Sequence, residues 1–424
     1  MICKPITNTL EAKLLVKPTL NIAVILHMHQ PLYSFTGKVL DSETAREVFV
    51  QTMHPYTFPP EAVEKHDGAR VTLNFTGTLI EQMNELAAAE FDSRLEGIWS
   101  KYRRVKDTRK VEFTGCGYFH PILPMIPEAD RRKQIEMHLK IYEKTFGGKP
   151  VGFWPPEVAF NVDLVPLLAD MGFQWAIVDE PHVTNVNKGK DWRQLLYHPH
   201  YVERGGRQIT IVVRDRGISI AQQSGYDPSW LMNEVQSKLK GMPKKGDEDL
   251  LLVVATDGEN GWFRHSGDKA GFWGCFFIPL LEKIASDPRF ELVKLTTVQD
   301  YLRAHPPEDT VNVESGSWNV QGMPDDGRFL KWTGDAPRKQ RWEQIAQTNE
   351  CLRKLEDRIN RSNLDSPKVK QSLREAWRWM LTAESSDYFY WGIEEWLSKC
   401  SYCCERAQLY ISEVEKLLSG VSGA

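Results

Sequence analysis

Two short segments hold the carboxylates best suited to catalysis. Residues 152–157 (GFWPPE) end on Glu157, and residues 255–262 (ATDGENGW) contain Asp257. Each segment follows an apolar, β-branched run that predicts a strand, and each places its carboxylate near a tryptophan. Glycoside hydrolysis requires such a pair, because one carboxylate attacks or stabilises the sugar cation and the other protonates the departing oxygen. The tryptophans would add flat apolar surfaces on which sugar rings can stack.

Other polar residues also follow predicted strands. These candidates for substrate contact are His27, His29, Gln30, His120, Trp154, Asp179, Arg214, Glu259 and Trp262. The strand-like runs are 22–26, 71–75, 111–114, 150–154, 175–178, 209–213, 251–255 and 292–295. If these strands form a parallel barrel, their carboxyl ends meet on one face, where such barrels hold their active sites. We therefore expect the polar residues to converge there.

The runs alternate with helical patterns, which predicts a parallel sheet covered by helices. Helices are predicted at 79–91, 129–146 and 164–171. Seven or eight such units are enough to close a barrel, which we place at residues 1–305. After Pro306 and Pro307 the pattern changes to an irregular stretch and then to helices at 340–359, 369–383 and 390–418. Residues 306–424 are predicted to form a cleft-lining segment and a helical domain, because long irregular connections are often functional.

Each candidate also has a purely structural interpretation. A carboxylate after a strand is often a helix cap or a solvated loop residue, which applies to Glu259. His27 could be a core histidine bonded to backbone, and Trp154 could pack inside the barrel. Glu157 and Asp257 favour a functional role because both lie in turn-forming, tryptophan-bearing contexts on the predicted face.

The histidines support a competing chemistry. His27 and His29, joined by His120 and by Asp257 or Asp179, have the residue types of a divalent metal site for hydrolysis or deacetylation. Neutral imidazoles that hydrogen-bond sugar hydroxyls explain the same residues without a metal. We expect no metal and no cofactor.

Composition excludes several classes of protein. The 424 residues carry 53 Lys and Arg against 57 Asp and Glu, a net charge of −4, without a block of like charge that would bind nucleic acid or a membrane surface. No secretory signal and no membrane-spanning run are recognised. The seven cysteines are an odd number and fit reduced thiols in the cytoplasm. Cys400, Cys403 and Cys404 have helical spacing, which favours a buried helix face over a metal site.

Several motifs together resemble glycoside hydrolase family 57. They are HMHQP at 27–31, GYFHPILP at 117–124, GFWPPE at 152–157, DGEN at 257–260, GSW at 316–318, FLKWTG at 329–334 and SDY at 386–388. The resemblance runs from about residue 20 to about residue 400. It implies an α/β fold, namely an incomplete (β/α)7 barrel followed by a C-terminal α-helical domain. It also implies retaining chemistry on α-glucosidic bonds, as in α-amylases, amylopullulanases and 4-α-glucanotransferases.

The resemblance also implies residue roles. Glu157 falls on the catalytic nucleophile and Asp257 on the general acid/base. His29 and His120 fall on sugar-contacting positions, and Trp262 and Trp318 lie near the glucan path. Asp387 belongs to the SDY motif at 386–388, the tail motif.

We therefore expect a cytoplasmic α-glucan-active enzyme whose partner is a glucan or maltooligosaccharide. Hydrolysis and transglycosylation both remain open. A metal-dependent polysaccharide deacetylase or amidohydrolase and a non-catalytic glucan-binding homologue are the alternatives.

Overall fold

The computed structural model describes residues 19–35, 38–223, 228–240, 249–259, 272–318, 328–362 and 366–421. Nine strands lie in this part of the chain: β1 (Leu20–Met28), β2 (Val71–Phe75), β3 (Val111–Thr114), β4 (Gly152–Phe153), β5 (Trp175–Asp179), β6 (His200–Arg204), β7 (Arg207–Arg214), β8 (Leu250–Asp257) and β9 (Val293–Thr296).

The strands form a nearly closed parallel barrel. Seven strands follow the order β3, β2, β1, β8, β7, β5, β4, and neighbours in this order are parallel. The first and last strands meet at a single parallel bridge between Gly115 and Phe153. There the Gly115 amide donates to the Gly152 carbonyl at 2.8 Å, and the Trp154 amide donates to the Gly115 carbonyl at 2.8 Å. The predicted barrel of seven β/α units is confirmed.

Two strands lie outside this ring. β9 is the predicted run 292–295 and pairs in parallel with the first half of β1. β6 was not predicted, and it pairs antiparallel with β7 through a two-residue turn at Gly205 and Gly206. Both glycines have positive φ, 57° and 72°, as a type I′ hairpin turn requires. The Gly-Gly pair in the sequence was therefore a usable hairpin signal.

Helices connect the strands and cover the barrel. Within the described ranges, the α-helices before residue 305 are Glu43–Thr57, Pro59–Lys65, Gly77–Ala88, Ile98–Asp107, Glu128–Phe146, Val165–Asp170, Glu180–Thr184, Trp192–Tyr197, Arg216–Gln223, Leu231–Leu239, Ile278–Ser286 and Val298–Ala304. Short 3₁₀ turns lie at Val39–Asp41, Ser93–Leu95, Leu123–Met125, Pro156–Val158, Val162–Leu164 and Pro288–Phe290, and a π-helical turn at Trp273–Phe277. The three predicted helices in this half are present, with ends that differ by up to three residues.

The C-terminal region is helical, as predicted. Its helices are Leu330–Thr333, Ala336–Ser362, Pro367–Ala383, Asp387–Tyr390 and Glu394–Val421. Their apolar core also contains Tyr118, Phe119 and Ile122 from the loop after β3. The helical region therefore packs directly on the carboxyl-end loops of the barrel. The boundary at residue 305 stays a prediction.

Cys400, Cys403 and Cys404 are buried on the helix Glu394–Val421, which confirms the predicted helix face. No helix in the described part of the chain is both long enough and apolar enough to cross a membrane. The cytoplasmic location stays a prediction.

Candidate active site

Glu157 lies just past the end of β4 in a strained turn. The 3₁₀ turn Pro156–Val158 carries positive φ angles at Glu157 (58°) and Val158 (49°). Left-handed backbone in residues other than glycine costs on the order of 1–3 kcal/mol each and concentrates at functional sites. The two prolines before Glu157 fix their own φ angles, which restricts how the chain leaves the strand.

The irregular segment after the barrel, described here as far as Trp318 and called the connector, contacts Glu157 from the other side. The indole Nε1 of Trp318 donates to Glu157 Oε2 at 3.0 Å, and the Trp318 amide donates to the Glu157 carbonyl at 3.1 Å. A bridge between Phe160 and Gly316 ties the same two segments together. Both Glu157 and Trp318 are half-buried, so the carboxylate is fixed while it remains within reach of a ligand.

Asp257 is the last residue of β8 and is also half-buried. It lies in register with His27 on β1, and the next amide, that of Gly258, donates to the His27 carbonyl at 2.7 Å. A Cβ at Gly258 would lie 2.2 Å from the Met28 sulfur, so any larger residue here would require the Met28 side chain to move. In the ring of seven strands, β5 and β7 separate β4 from β8 on one side and β3, β2 and β1 on the other. Glu157 and Asp257 thus leave the barrel from opposite sides of its mouth.

Three histidines stack on one another: His27 and His29 at the end of β1, and His120 in the loop after β3. The rings of His29 and His120 lie 3.9 Å apart between centroids, and His27 stacks on His120 at 5.0 Å. Trp154 lies nearly parallel to His27 at 5.0 Å and is fully buried. Trp154 therefore supports the histidines from inside the barrel, which is the packing role that its sequence context left open.

The hydrogen bonds of two histidines fix their tautomers. Asn74 Nδ2 donates to Thr114 at 3.0 Å, so Asn74 Oδ1 accepts from His27 Nδ1 at 2.8 Å. His27 Nε2 then accepts from His120 Nε2 at 3.0 Å, and His120 Nδ1 accepts from the Ser386 hydroxyl at 2.8 Å. Burial holds the pKa of His27 and of His120 well below the usual value, with the charge of His29 acting in the same direction. Both rings are therefore neutral.

His29 is in a different electrostatic environment. Its Nδ1 contacts the Thr76 hydroxyl at 2.9 Å, and its Nε2 lies 3.0 Å from Asp387 Oδ2. Burial by itself would lower the pKa of His29, but the Asp387, Glu259 and Glu157 carboxylates raise it above its usual value. Asp387 therefore favours the protonated form of His29, whereas the two neighbouring histidines are neutral.

Glu259 fixes the loop that follows β1. Its Oε1 accepts from the His29 amide at 2.9 Å and from the Tyr56 hydroxyl at 2.6 Å. Gln30 bonds the same tyrosine at 2.8 Å. Burial raises the pKa of Glu259 to about 6, while these hydrogen bonds act in the opposite direction. Glu259 and Gln30 are thus buried supports of the His29 backbone.

Asp179 and Arg214 form a buried ion pair next to the connector. Arg214 Nη1 lies 3.0 Å from Asp179 Oδ1, and Arg216 binds the other carboxylate oxygen. Burial would raise the pKa of Asp179, but Arg214 and Arg216 hold it below its usual value. Arg214 also donates to the Ala255 carbonyl at 2.8 Å and lies 5.3 Å from the ring centre of Trp318. This pair therefore links β8 to Trp318.

The predicted site residues divide into two groups. Those only half-buried, and so within reach of a ligand, are Glu157, Asp257, His29, Trp318 and Asp387. Those buried behind them are His27, Gln30, His120, Trp154, Asp179, Arg214 and Glu259. Trp262 lies outside the described residues.

Sequence reasoning did not single out four supporting residues: Tyr56, Asn74, Thr76 and Ser386. Asn74 carries a weak signal, because it is a polar residue inside the otherwise apolar end of β2. Ser386 lies in the tail motif, yet its bond to His120 spans 266 residues of sequence.

The histidine cluster also has the dimensions of a metal site. One ring nitrogen from each of His27, His29 and His120 lies within 4.8 Å of the others. In the structure all six ring nitrogens have hydrogen-bond partners. Hydrogen bonds within the protein therefore account for the positions of the three rings.

The sequence of the chain is similar to those of known proteins. The profile of glycosyl hydrolase family 57 matches residues 23–314. The chain is 26% identical over 310 residues to an alpha-amylase of Pyrococcus abyssi, covering 71% of this chain and 41% of that protein. It is 26% identical over 302 residues to a 4-alpha-glucanotransferase of Thermococcus kodakarensis, covering 69% and 40%. The chain thus spans about two fifths of the length of these curated relatives.

A solved structure is similar over nearly the whole chain. It is a GH57-type branching enzyme from Pyrococcus horikoshii, with a TM-score of 0.68, 18% sequence identity, and coverage of 93% of this chain and 88% of that chain. At this identity the similarity is evidence for the fold alone.

Proposed function

The chain belongs to glycosyl hydrolase family 57, and from this premise we propose that it is a retaining enzyme acting on α-1,4-glucosidic bonds. The observation that carries the proposal is the placement of Glu157 and Asp257 on opposite sides of the barrel mouth. A glucan bound between them can be attacked from one side and protonated from the other, as two-carboxylate chemistry requires.

Glu157 is the proposed nucleophile. Its carboxylate attacks the anomeric carbon, the bond to the leaving oxygen breaks, and a glycosyl ester of Glu157 forms. The indole of Trp318 donates to Glu157 Oε2. Such a bond favours the ionised carboxylate and orients it.

Asp257 is the proposed general acid and base. It protonates the leaving oxygen in the first step and then removes a proton from the incoming water or sugar hydroxyl, which releases the ester. Water as the acceptor gives hydrolysis, and a second glucan gives transfer.

Asp387 and the histidines have different proposed roles. Asp387 is half-buried, and its carboxylate retains acceptor capacity for a sugar hydroxyl beside its bonds to His29 and Ser385. His29 orients Asp387, whereas His27 and His120 hold the loops in place through the chain of bonds from Ser386 to Asn74. The aromatic face of Trp318 is the proposed stacking surface for a sugar ring.

Product analysis tests the proposal. The protein is incubated with maltooligosaccharides, amylose and pullulan, and the products are separated by length while new reducing ends are counted. Hydrolysis raises the number of reducing ends, whereas transfer produces longer and shorter chains at a constant number. An absence of new products from every α-glucan, under conditions in which the protein is folded, would overturn the proposal.

A metal-dependent polysaccharide deacetylase is the second candidate, favoured by the spacing of the three histidine nitrogens. His27, His29 and His120 would hold the ion, which would supply an activated water. Elemental analysis of the purified protein and acetate release from acetylated polysaccharides separate the two. One stoichiometric zinc or similar ion together with chelator-sensitive acetate release would establish the deacetylase, and chelator-resistant glucan cleavage would exclude it.

A further inference from the structure

Two buried carboxyl groups, those of Asp130 and Glu384, contact each other where the C-terminal helices pack on the barrel. Asp130 lies in the first turn of the helix Glu128–Phe146, and Glu384 caps the carboxyl end of the helix Pro367–Ala383. Both residues are 0% exposed, and a side-chain hydrogen bond joins them. The mechanism proposed above uses neither residue.

This contact requires a proton, because two ionised carboxylates offer only acceptors to each other. Asp130 already accepts with both oxygens, from Arg353 Nη2 to Oδ1 at 2.5 Å and from Asn349 Nδ2 to Oδ2. Glu384 Oε2 accepts from Gln134 Nε2 at 3.0 Å, whereas Glu384 Oε1 receives no donor from the residues that the structure describes. Oε1 therefore carries the proton, and its hydroxyl donates to Asp130.

The charges around the pair also favour a neutral Glu384. Arg353 compensates the charge of one carboxylate, that of Asp130. Lys133, the other cation that acts on Asp130, lies 3.4 Å from the carboxylate of Glu356. A second ionised carboxylate in this place would be a buried charge without a cation of its own. Burial, with the charge of Asp130 adding to it, accordingly raises the pKa of Glu384 well above its usual value.

Gln134 connects the pair to the loop that carries His120. Its Nε2 donates both to Glu384 and to the Leu381 carbonyl, the latter at 2.8 Å. Its Oε1 accepts from the Phe119 amide at 3.0 Å. The residue before His120 is therefore held by the same side chain that binds Glu384.

The residues directly after Glu384 contact the candidate site. The Ser385 hydroxyl donates to Asp387 Oδ2 at 2.6 Å. The Ser386 amide donates to the His120 carbonyl at 3.1 Å, and the Ser386 hydroxyl binds the ring of the same histidine. A shift of Glu384 thus reaches Asp387 through two intervening residues.

We propose that Glu384 is a positioning residue, which holds Asp387 and His120 in place for the reaction by donating a hydrogen bond to Asp130 as a neutral carboxyl group. The link to a reaction rests on the proposed function, whereas the proton and the held loop rest on the contacts themselves. Loss of this proton to solvent at high pH would bring two carboxylates into contact. Their repulsion would displace the helix end that leads to Asp387.

Carbon-13 NMR of the glutamate carboxyl groups tests the proton directly. The signal of Glu384 is identified by its absence from the Glu384→Gln protein. It should remain that of a protonated carboxyl group at pH 7, where a glutamate with the ordinary pKa of about 4.3 is ionised. A Glu384 signal that titrates near this ordinary value would overturn the proposal.

Replacement of Glu384 in the full-length protein tests the positioning role. Glu384→Met removes both hydrogen bonds at similar volume, and kcat on maltoheptaose should fall about tenfold to a hundredfold with little change in KM, because small misplacements cost this much. The ring-nitrogen NMR signals of His120 should also move, since Ser386 binds that ring. Glu384→Gln stays neutral and can donate to Asp130 and accept from Gln134, so it should restore both readouts.

Glu356→Gln is the matched control, because it removes a neighbouring carboxylate that contacts Lys133 and lies outside the Asp130–Glu384 pair. It should leave kcat and the His120 signals as they are in the wild type. Glu384→Leu is the second variant if Glu384→Met does not fold.

The outcomes separate this role from the proposed function. Unchanged kcat and unchanged His120 signals in a folded Glu384→Met protein overturn the positioning role and leave the function intact. Equal damage in Glu384→Gln and Glu384→Met also overturns it, because a neutral donor would then not suffice. A protonated Glu384 whose replacement moves the His120 signals, in a wild-type protein without turnover, supports the held loop and overturns the proposed function.

Discussion

Trp318 Nε1 donates a 3.0 Å hydrogen bond to Oε2 of Glu157, across 161 residues of sequence. The connector that follows the barrel therefore contributes directly to the position of the proposed nucleophile. The indole has two separable properties, a flat ring and a single N–H donor, and the donor acts on the carboxylate rather than on the sugar.

Trp318→Phe separates these two properties. The ring stays and the donor is lost, so we expect kcat to fall about tenfold to a hundredfold, since a hydrogen bond to a charged group contributes about 1.5–3 kcal/mol. KM for long maltooligosaccharides should change little. Steady-state kinetics with Trp192→Phe as the control measures this. A raised KM with an unchanged kcat would mean that Trp318 serves only as a stacking surface.

Glu157→Gln and Asp257→Asn should each lower turnover by at least about a thousandfold while thermal unfolding stays close to that of the wild type. Each exchange removes an ionisable group with little change in volume. Azide should partly restore activity to Glu157→Ala, because it can replace the missing nucleophile. Glu203→Gln, on the exposed surface of β6, is the matched control. Wild-type activity in either amide variant would remove that residue from the mechanism.

Asp387→Asn should lower the pKa of His29. The Asp387 carboxylate opposes the effect of burial on this ring, so its removal leaves burial as the main influence, which disfavours the cation. NMR titration of labelled histidine measures the change. Ser386→Ala is the control, because Ser386 contacts His120 rather than His29. An unchanged His29 titration in Asp387→Asn would contradict the ion pair.

Glu112, near the amino end of β3, should make the free energy of unfolding depend on pH. Burial raises the pKa of its carboxyl to about 7, and bonds from the Gln299 amide, Trp175 and Thr72 only partly offset this. Since the folded pKa exceeds the unfolded value of about 4.3, the folded state binds the additional proton between these two values. The resulting stabilisation is complete below about pH 4.3 and is lost at roughly 1.4 kcal/mol per pH unit up to about pH 7.

Thermal unfolding of the wild type and of Glu112→Gln between pH 5 and 8 measures this contribution. The wild type should lose stability relative to the variant as the pH rises, and groups common to both proteins cancel in the difference. A constant difference across this range would show that Glu112 titrates at its ordinary pKa.

The sequence was sufficient for the barrel because its strands are buried on both faces and therefore read as apolar runs. The sequence was less informative outside the ring of seven strands. There β6 combines buried and exposed residues, and it was missed despite the Gly205–Gly206 turn. In the site, Glu157, Asp257 and the histidines could be predicted because all lie at or after the carboxyl ends of strands. Their partners Asn74 and Ser386 could not, since they lie 47 and 266 residues away from the rings they contact.

The seam between β3 and β4 has a mechanical consequence. Among the residues that the structure describes, two backbone hydrogen bonds around Gly115 close the ring there, and β4 has two residues. This is one of the shortest joins in the ring, like that between β7 and β8, which pair at Arg214 and Val253, and it carries the turn that presents Glu157. Heating should loosen this seam before the longer pairings of β1 with β2 and β8, and the two carboxylates would then lose their alignment. Thermal inactivation would thus begin at a lower temperature than global melting and would reverse on cooling.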